Sequence, residues 1–176
     1  MRKLKTLELK RISTEEFKET KKIPLVIVLD NVRSLHNVGS VFRTSDAFLV
    51  KAVYLCGITA TPPHAEIHKT ALGAENTVEW KYFNNTLDAI KELKEQGYCI
   101  AAIEQAENSI MLNELNLTEQ AYAVILGNEV KGVDQEAMNN CDICIEIPQF
   151  GTKHSLNVSV TSGIIIWEFF NKLQSR

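Results

Sequence analysis

Pro24-Leu25-Val26-Ile27-Val28-Leu29-Asp30-Asn31-Val32-Arg33-Ser34-Leu35-His36-Asn37-Val38-Gly39-Ser40-Val41-Phe42-Arg43 is the stretch on which the fold turns. Its aliphatic run, Leu25–Leu29, is short and unbroken, and it lacks the alternation of a half-exposed strand. It therefore reads as a strand buried on both faces. A polar segment follows and gives way to a helical pattern over Val38–Leu49. There Val38, Val41, Phe42, Ser45 and Phe48 form the inward stripe, with Asn37 as the expected N-cap.

Working outward, the same alternation recurs. Strand-like runs at Ala52–Cys56, Thr77–Trp80, Tyr98–Ile103, Tyr122–Leu126 and Ile143–Ile147 are interleaved with helical patterns at Thr86–Gln96, Gln135–Asn139 and Leu156–Leu173. Repeated strand–helix–strand units predict an α/β fold, a mostly parallel sheet with helices on both faces. Ile58–Glu66, with Pro62 and Pro63, reads as a surface loop. A cap at Ser13 or Thr14, followed by Glu15 and Glu16, predicts a short helix ending before Pro24. Residues 1–24 are thus expected as a helical extension and residues 25–176 as one domain.

Composition narrows the function classes. At 176 residues with 45% hydrophobic and 23% charged side chains, the chain is that of a soluble mixed fold rather than a fibrous or disordered one. The absence of an 18-residue apolar run argues against a membrane span, and Met1–Lys10 lacks a signal-peptide core, so a cytoplasmic location is expected. The four cysteines sit in apolar surroundings and read as reduced thiols; Cys141 and Cys144 have metal-ligand spacing but no second pair, so no metal is expected. The formal charge of −3 is unusual for a nucleic-acid enzyme. It leaves phosphate binding to a local basic surface, for which Arg2, Lys3, Lys5, Lys10, Arg11, Lys18, Lys21 and Lys22 are candidates if they fold near the site.

Three polar segments follow strand-like runs, where ligands collect in parallel sheets. In the first, Arg43 lies off the inward stripe with Gly39 and Ser40 one turn before it; its partner is either a phosphate or Asp46 at i+3. The second, Gly127-Asn128-Glu129-Val130-Lys131-Gly132, can bring backbone donors and acceptors against a ligand. It is neither a P-loop nor a dinucleotide fingerprint. The third, Pro148-Gln149-Phe150-Gly151-Thr152-Lys153-His154-Ser155-Leu156-Asn157, enters the last helix, where Ser155 and Asn157 need hydrogen-bond partners or, for Ser155, a capping role. Adjacent His154 and Ser155 do not make a nucleophile–base pair without a nucleophile elbow.

Together these segments resemble the signature motifs of the SpoU/TrmH class of SPOUT RNA methyltransferases, in order and spacing, over roughly Leu25 to Phe170. The motifs are Asn37-Val-Gly39 leading to Arg43-Thr-Ser-Asp-Ala-Phe, then Leu-Gly127-Asn-Glu129-x-x-Gly132, then Ile147-Pro148 and Ser155-Leu156-Asn157. The resemblance implies a C-terminal deep trefoil knot, a rare exception to unthreaded chains, and a homodimer with the active site near the subunit interface. The long last helix carries Ile164, Ile165, Ile166, Trp167, Phe169 and Phe170, in keeping either with such a contact or with burial within the monomer. It also implies transfer of a methyl group from S-adenosyl-L-methionine to a ribose 2′-hydroxyl of structured RNA, tRNA before rRNA.

The catalytic set carried over is Arg43, Asn37, Glu129, Ser155 and Asn157; Ile103, Gly127, Asn128, Ile147, Pro148 and Leu156 are expected to hold the cofactor. Gln149-Phe150 departs from the family pattern, which often has Met and an aliphatic residue there. With about 24 residues before the first strand, the N-terminal RNA-binding domain that some members carry is not expected. Two competing classes are an RNA-binding homologue without catalysis and an unrelated small-molecule α/β enzyme; cofactor binding separates the latter, methyl transfer the former.

Overall fold

The computed structural model describes residues 1–5, 8–118 and 121–174, and the strand read after Pro24 is at its centre. Thr6, Leu7, Glu119, Gln120, Ser175 and Arg176, parts of the expected extension and domain, lie outside the described residues. Strand β1 spans Ile23–Asp30, followed in chain order by β2 Val50–Cys56, β3 Glu79–Phe83, β4 Cys99–Ile103, β5 Ile110–Met111, β6 Tyr122–Leu126 and β7 Ile143–Glu146. They form one sheet in the order β3-β2-β1-β6-β4-β7-β5, and every strand pairing is parallel. The α/β class with a parallel sheet is as the alternation predicts.

Period-two alternation of β1 divides the interior. Leu25, Ile27 and Leu29 face one core with Val38, Val41 and Phe42 of α2 (Leu35–Ala47), Ile67 and Ala71 of α3 (Ala65–Ala71), and Ile165, Ile166 and Phe169 of α6 (Val158–Gln174). Val26 and Val28 face the other, with Ala89, Ile90 and Leu93 of α4 (Thr86–Glu95) and Ala137 of α5 (Gln135–Asn139). Both faces of β1 are covered, so a polar residue at either set of positions would have no water to meet. Burying a Leu- or Ile-sized side chain here contributes about 1.5–3 kcal/mol relative to exposure.

The differences from the sequence reading have local causes. Asn37 is not the N-cap of α2: the Ser34 hydroxyl accepts from the Asn37 N–H, so the helix starts at Leu35 and Asn37 lies in its first turn. Residues Thr77 and Val78 are not in β3; a 3-10 turn at Ala74–Asn76 ends on Thr77, whose hydroxyl donates to Ala74 O and Asp46. The loop expected over Ile58–Glu66 ends early because His64 caps α3 through its Nδ1. Helix α6 begins at Val158 instead of Leu156, and Asn157, not Ser155, caps it: its Oδ1 accepts the Ser159 N–H at 2.8 Å. Strand β5 has two residues and left no readable pattern.

Helix α1 (Thr14–Glu19) carries the expected cap as a Ser13–Glu16 capping box, and its Phe17 is pinned in the first core. Lys18, Lys21 and Lys22 therefore lie in a groove with Lys51 and Glu79, at the amino ends of the strands. The loops that follow the strands are at the opposite end, an eight-residue strand or roughly 25 Å away. This part of the basic segment does not fold near the expected site of its own chain.

Candidate active site

At the carboxyl end of β1 the backbone turns sharply: Asn31 adopts φ 55°, a left-handed conformation that Asn tolerates. The chain then enters α2 with its first N–H groups unpaired by the helix itself. Glu129, from the loop after β6, fills that vacancy. Its Oε1 accepts the Ser34 N–H at 2.9 Å and Asn37 Nδ2 at 3.1 Å, and its Oε2 accepts the Arg33 N–H at 3.0 Å. Partial burial pushes the Glu129 carboxyl up, but the backbone donors of Arg33 and Ser34, with the Asn37 amide, outweigh it and hold the group below the ordinary carboxylate range. A carboxylate at a helix N-terminus is also favoured by the helix dipole.

The loop after β6 is closed on itself. Asn128 N–H donates to Gly132 O and Gly132 N–H to Asn128 O, both at 2.9 Å, while Asn128 Oδ1 accepts from Val130 and Lys131 N–H. Asn128 Nδ2 donates to Asn31 O at 2.7 Å, tying this loop to the one after β1. Gly127 makes the closure possible: a Cβ there would stand 2.1 Å from Gly132 C and Val133 N, so any other residue would force the loop open.

Sheet order explains why these loops meet. Strand β6 is inserted between β1 and β4, so the segments leaving β1, β4 and β6 emerge side by side where the direction of chain progression reverses. Strand β7 adds the fourth, carrying Ile147 and the segment that ends on Asn157. The result is a cavity of about 590 Å³, whose walls include Ile103, Gly127, Asn128, Glu129, Ile147, Ser155, Leu156 and Asn157. Eight of the eleven residues expected from the motifs thus share one cavity. Pro148 does not line it, although Ile147 and Gln149 on either side do, and Asn37 reaches it only through Glu129.

Arg43 is elsewhere. It is exposed, six residues beyond Asn37 and so about 9 Å further along α2. The alternative partner is taken, because Asp46 accepts from Thr77 Oγ1 at 2.5 Å, and Arg43 forms no ion pair among the described residues. Its neighbour Gly39 does allow the close backbone approach expected of it: a Cβ there would be 2.3 Å from Ile67 O of α3. Ser155 is exposed and does not cap α6.

Some site residues escaped the sequence reading. Asp30, 1% exposed, accepts from Thr86 Oγ1 at 2.5 Å, from Asn31 Nδ2 and from the Asp134 N–H, joining β1 to the starts of α4 and α5. An acid ending a fully buried aliphatic run was the available signal, since a buried carboxylate needs such partners. Glu104 and Gln105 line the cavity after β4; no spacing in the sequence marks them. Among the described residues, no group of three or more His, Cys, Asp or Glu could hold a metal ion. Burial pushes the Cys56 and Cys141 thiols up to about 12, and none of the four cysteines forms a disulfide.

A parallel sheet whose carboxyl-end loops gather Gly127–Gly132 and Ser155–Asn157 in one cavity defines a family, and the comparison with known proteins agrees: residues 24–167 match the SpoU rRNA Methylase family, to which the chain belongs. Among curated relatives, the 23S rRNA (guanosine-2′-O-)-methyltransferase RlmB of Neisseria meningitidis serogroup B is 35% identical over 145 residues, 82% of this chain and 57% of the relative. RlmB of Nitrosomonas europaea is 37% identical over 152 residues, 86% of this chain and 58% of its own. The chain thus spans less than two thirds of these relatives' length. Of solved structures, the A. aeolicus TrmH/SpoU tRNA modifying enzyme superposes with a TM-score of 0.80 at 27% identity, covering 92% of this chain and 83% of that one. An AdoMet-bound rRNA methyltransferase from Sinorhizobium meliloti gives 0.81 at 25% identity, covering 89% and 60%.

Proposed function

We propose that this protein transfers a methyl group from S-adenosyl-L-methionine to a ribose 2′-hydroxyl in structured RNA, and that the cavity after β4, β6 and β7 holds the cofactor. The observation that carries the reading is the convergence of Gly127, Asn128, Glu129, Ile147 and Ser155–Asn157, separate in sequence, on that one cavity. Its lining suits the ligand. All six residues of the Gly127–Gly132 loop line it, and Glu104, Glu129 and Glu146 outnumber Lys131 among the charged residues around it, which favours a cationic sulfonium. When bound, the cofactor supplies the reactive methyl group.

The chain's own residues then position the acceptor. Glu129 and Asn37 fix the start of α2, and through it the helix that carries Arg43; Ser155 and Asn157 face the cavity from the other wall. Orientation of this kind accounts for much of the rate in such transfers. Arg43 is the residue for the RNA. A guanidinium is not readily deprotonated, so its best role is to hold the developing ribose oxyanion, with the proton passing to a phosphate oxygen or to water. It is exposed and has no ion pair among the described residues, which suits that role.

Dimerisation completes the reading. Arg43 does not line the cavity of its own chain, whereas α6 exposes Val160 and Trp167 on one side, an apolar stripe that a second copy would cover. The deep trefoil knot belongs to the same proposal, supported by the insertion of β6 and β7 between strands formed earlier in the chain. So does the division into a helical extension, 1–24, and a methyltransferase domain, 25–176. The described helices include none long and apolar enough to cross a membrane; an enzyme of RNA is placed in the cytoplasm. The expected preference for tRNA over rRNA finds less support than its converse: the family model and both RlmB relatives are named for rRNA, and the A. aeolicus structure for tRNA.

Cofactor binding tests the reading first. Saturating S-adenosyl-L-methionine or S-adenosylhomocysteine should raise Tm by several degrees, because a ligand of the native state stabilises it. No shift would leave an unrelated small-molecule enzyme as the better reading.

A further inference from the structure

The third segment hangs by little. Gly151–Asn157 are all exposed, and Phe150 is 97% exposed, so burial does not fix the wall that Ser155 and Leu156 give the cavity. The hydrogen bonds of Asn157 stay within the start of α6. Among the described residues, one hydrogen bond ties Pro148–Leu156 to the rest of the protein: Gln105 Nε2 donates to His154 O at 3.0 Å, across 49 positions in sequence.

Gln105 sits just past β4, and Glu104 beside it serves the opposite wall. Glu104 Oε2 accepts the Val133 N–H at 3.2 Å and Oε1 accepts the Gln105 N–H at 2.9 Å. A Cβ on Gly132 would lie 2.1 Å from Glu104 Oε2, so the glycine lets the carboxylate in. Two consecutive residues at one strand end thus each hold one wall, but the Gly127–Gly132 wall has its own closure whereas the Pro148–Leu156 wall depends on Gln105.

We propose that Gln105 is the latch of this cavity, a positioning residue whose side-chain donor holds the Pro148–Leu156 strap so that Ser155 and Leu156 close over a bound adenosyl sulfonium or thioether ligand. The inference rests on the cavity being the cofactor site. Without the latch, ligand binding must itself order the strap, and affinity falls by the cost of that ordering. The loss of one net hydrogen bond corresponds to about a fivefold weaker affinity.

Calorimetric titration of the full chain with S-adenosylhomocysteine tests this, using wild type, Gln105→Ala, Gln105→Glu, which keeps the length and loses the donor, and Gln105→Lys, which keeps a donor. The Ala and Glu variants should bind about fivefold more weakly, the Lys variant should recover most of that loss, and Tm without ligand should be unchanged. In turnover, the KM for S-adenosyl-L-methionine should rise by more than kcat falls. Wild-type affinity in the Ala and Glu variants overturns the latch, as does weaker binding that tracks a fall in ligand-free Tm. Absence of binding by the wild-type chain overturns the cofactor reading and the latch with it.

Discussion

Glu129 shows how much one side chain can organise. It reads in sequence as one acid between two glycines, yet it joins the loop after β6 to the entry of α2 by three hydrogen bonds, from Arg33 and Ser34 N–H before the helix and from the Asn37 amide in its first turn. Its folded carboxyl titrates below the ordinary range, so the stability it adds is fully present above the unfolded value near pH 4.3 and is lost as pH falls through the lower folded value. Glu129→Gln should therefore lower Tm near pH 7, with a cost of about 1 kcal/mol after solvent screening, and the gap to wild type should close in thermal melts taken at decreasing pH below that value. Arg43 offers the complementary test. Because it is exposed and forms no ion pair or side-chain hydrogen bond among the described residues, Arg43→Ala should keep Tm and cofactor affinity while methyl transfer falls at least a hundredfold, on the order of one lost charge-stabilising donor. Undiminished transfer in that variant would remove Arg43 from the chemistry.

Elements meet here through small residues and buried polar pairs. Gly39 sets the separation of α2 and α3, and an Ala Cβ would press on Ile67 O, which is backbone and cannot rotate away. Gly39→Ala should cost about 1–3 kcal/mol in denaturant unfolding, against the usual gain from Ala in a helix; a stabilised variant would contradict this packing. Asp30→Ala leaves Thr86 Oγ1 and the Asp134 N–H without their acceptor, which should cost about 3 kcal/mol. The elements themselves were legible to different degrees. Buried aliphatic runs marked β6 to the residue, β4 and β7 to within one residue and β1 and β2 to within two, because covered strands have few alternatives. Helix starts were less legible: Asn37 and Ser34 are both good caps by type, and only the tertiary demand of Glu129 for the Asn37 amide decides between them. Helix α3 and β5 were missed because seven and two residues are too few for periodicity to register.

At the scale of the molecule, the motifs were legible as three separate loops, and what the sequence could not show was their meeting. That depends on β6 entering between β1 and β4, a strand order that no local pattern encodes. The same holds for Arg43, which does not line the cavity of its own chain and which we propose is brought to the site by a second copy. If α6 forms that contact, Trp167→Glu, which puts a charge in the exposed stripe beside Val160, should yield a monomer by sedimentation and abolish transfer while each chain remains folded; transfer by a monomer would remove the second subunit from the site. The acidic net charge makes the proposed RNA binding depend on local basic surface, and Lys18, Lys21, Lys22 and Lys51 lie at the far end of the sheet from the cavity. The central claim is the reaction, and it is tested most directly by incubating the protein with methyl-tritiated S-adenosyl-L-methionine and total cellular RNA, then digesting the RNA to nucleosides. Label should appear in a 2′-O-methylated nucleoside and be lost in Arg43→Ala; label confined to bases, or no label with the cofactor bound, would rule out ribose methylation by this protein.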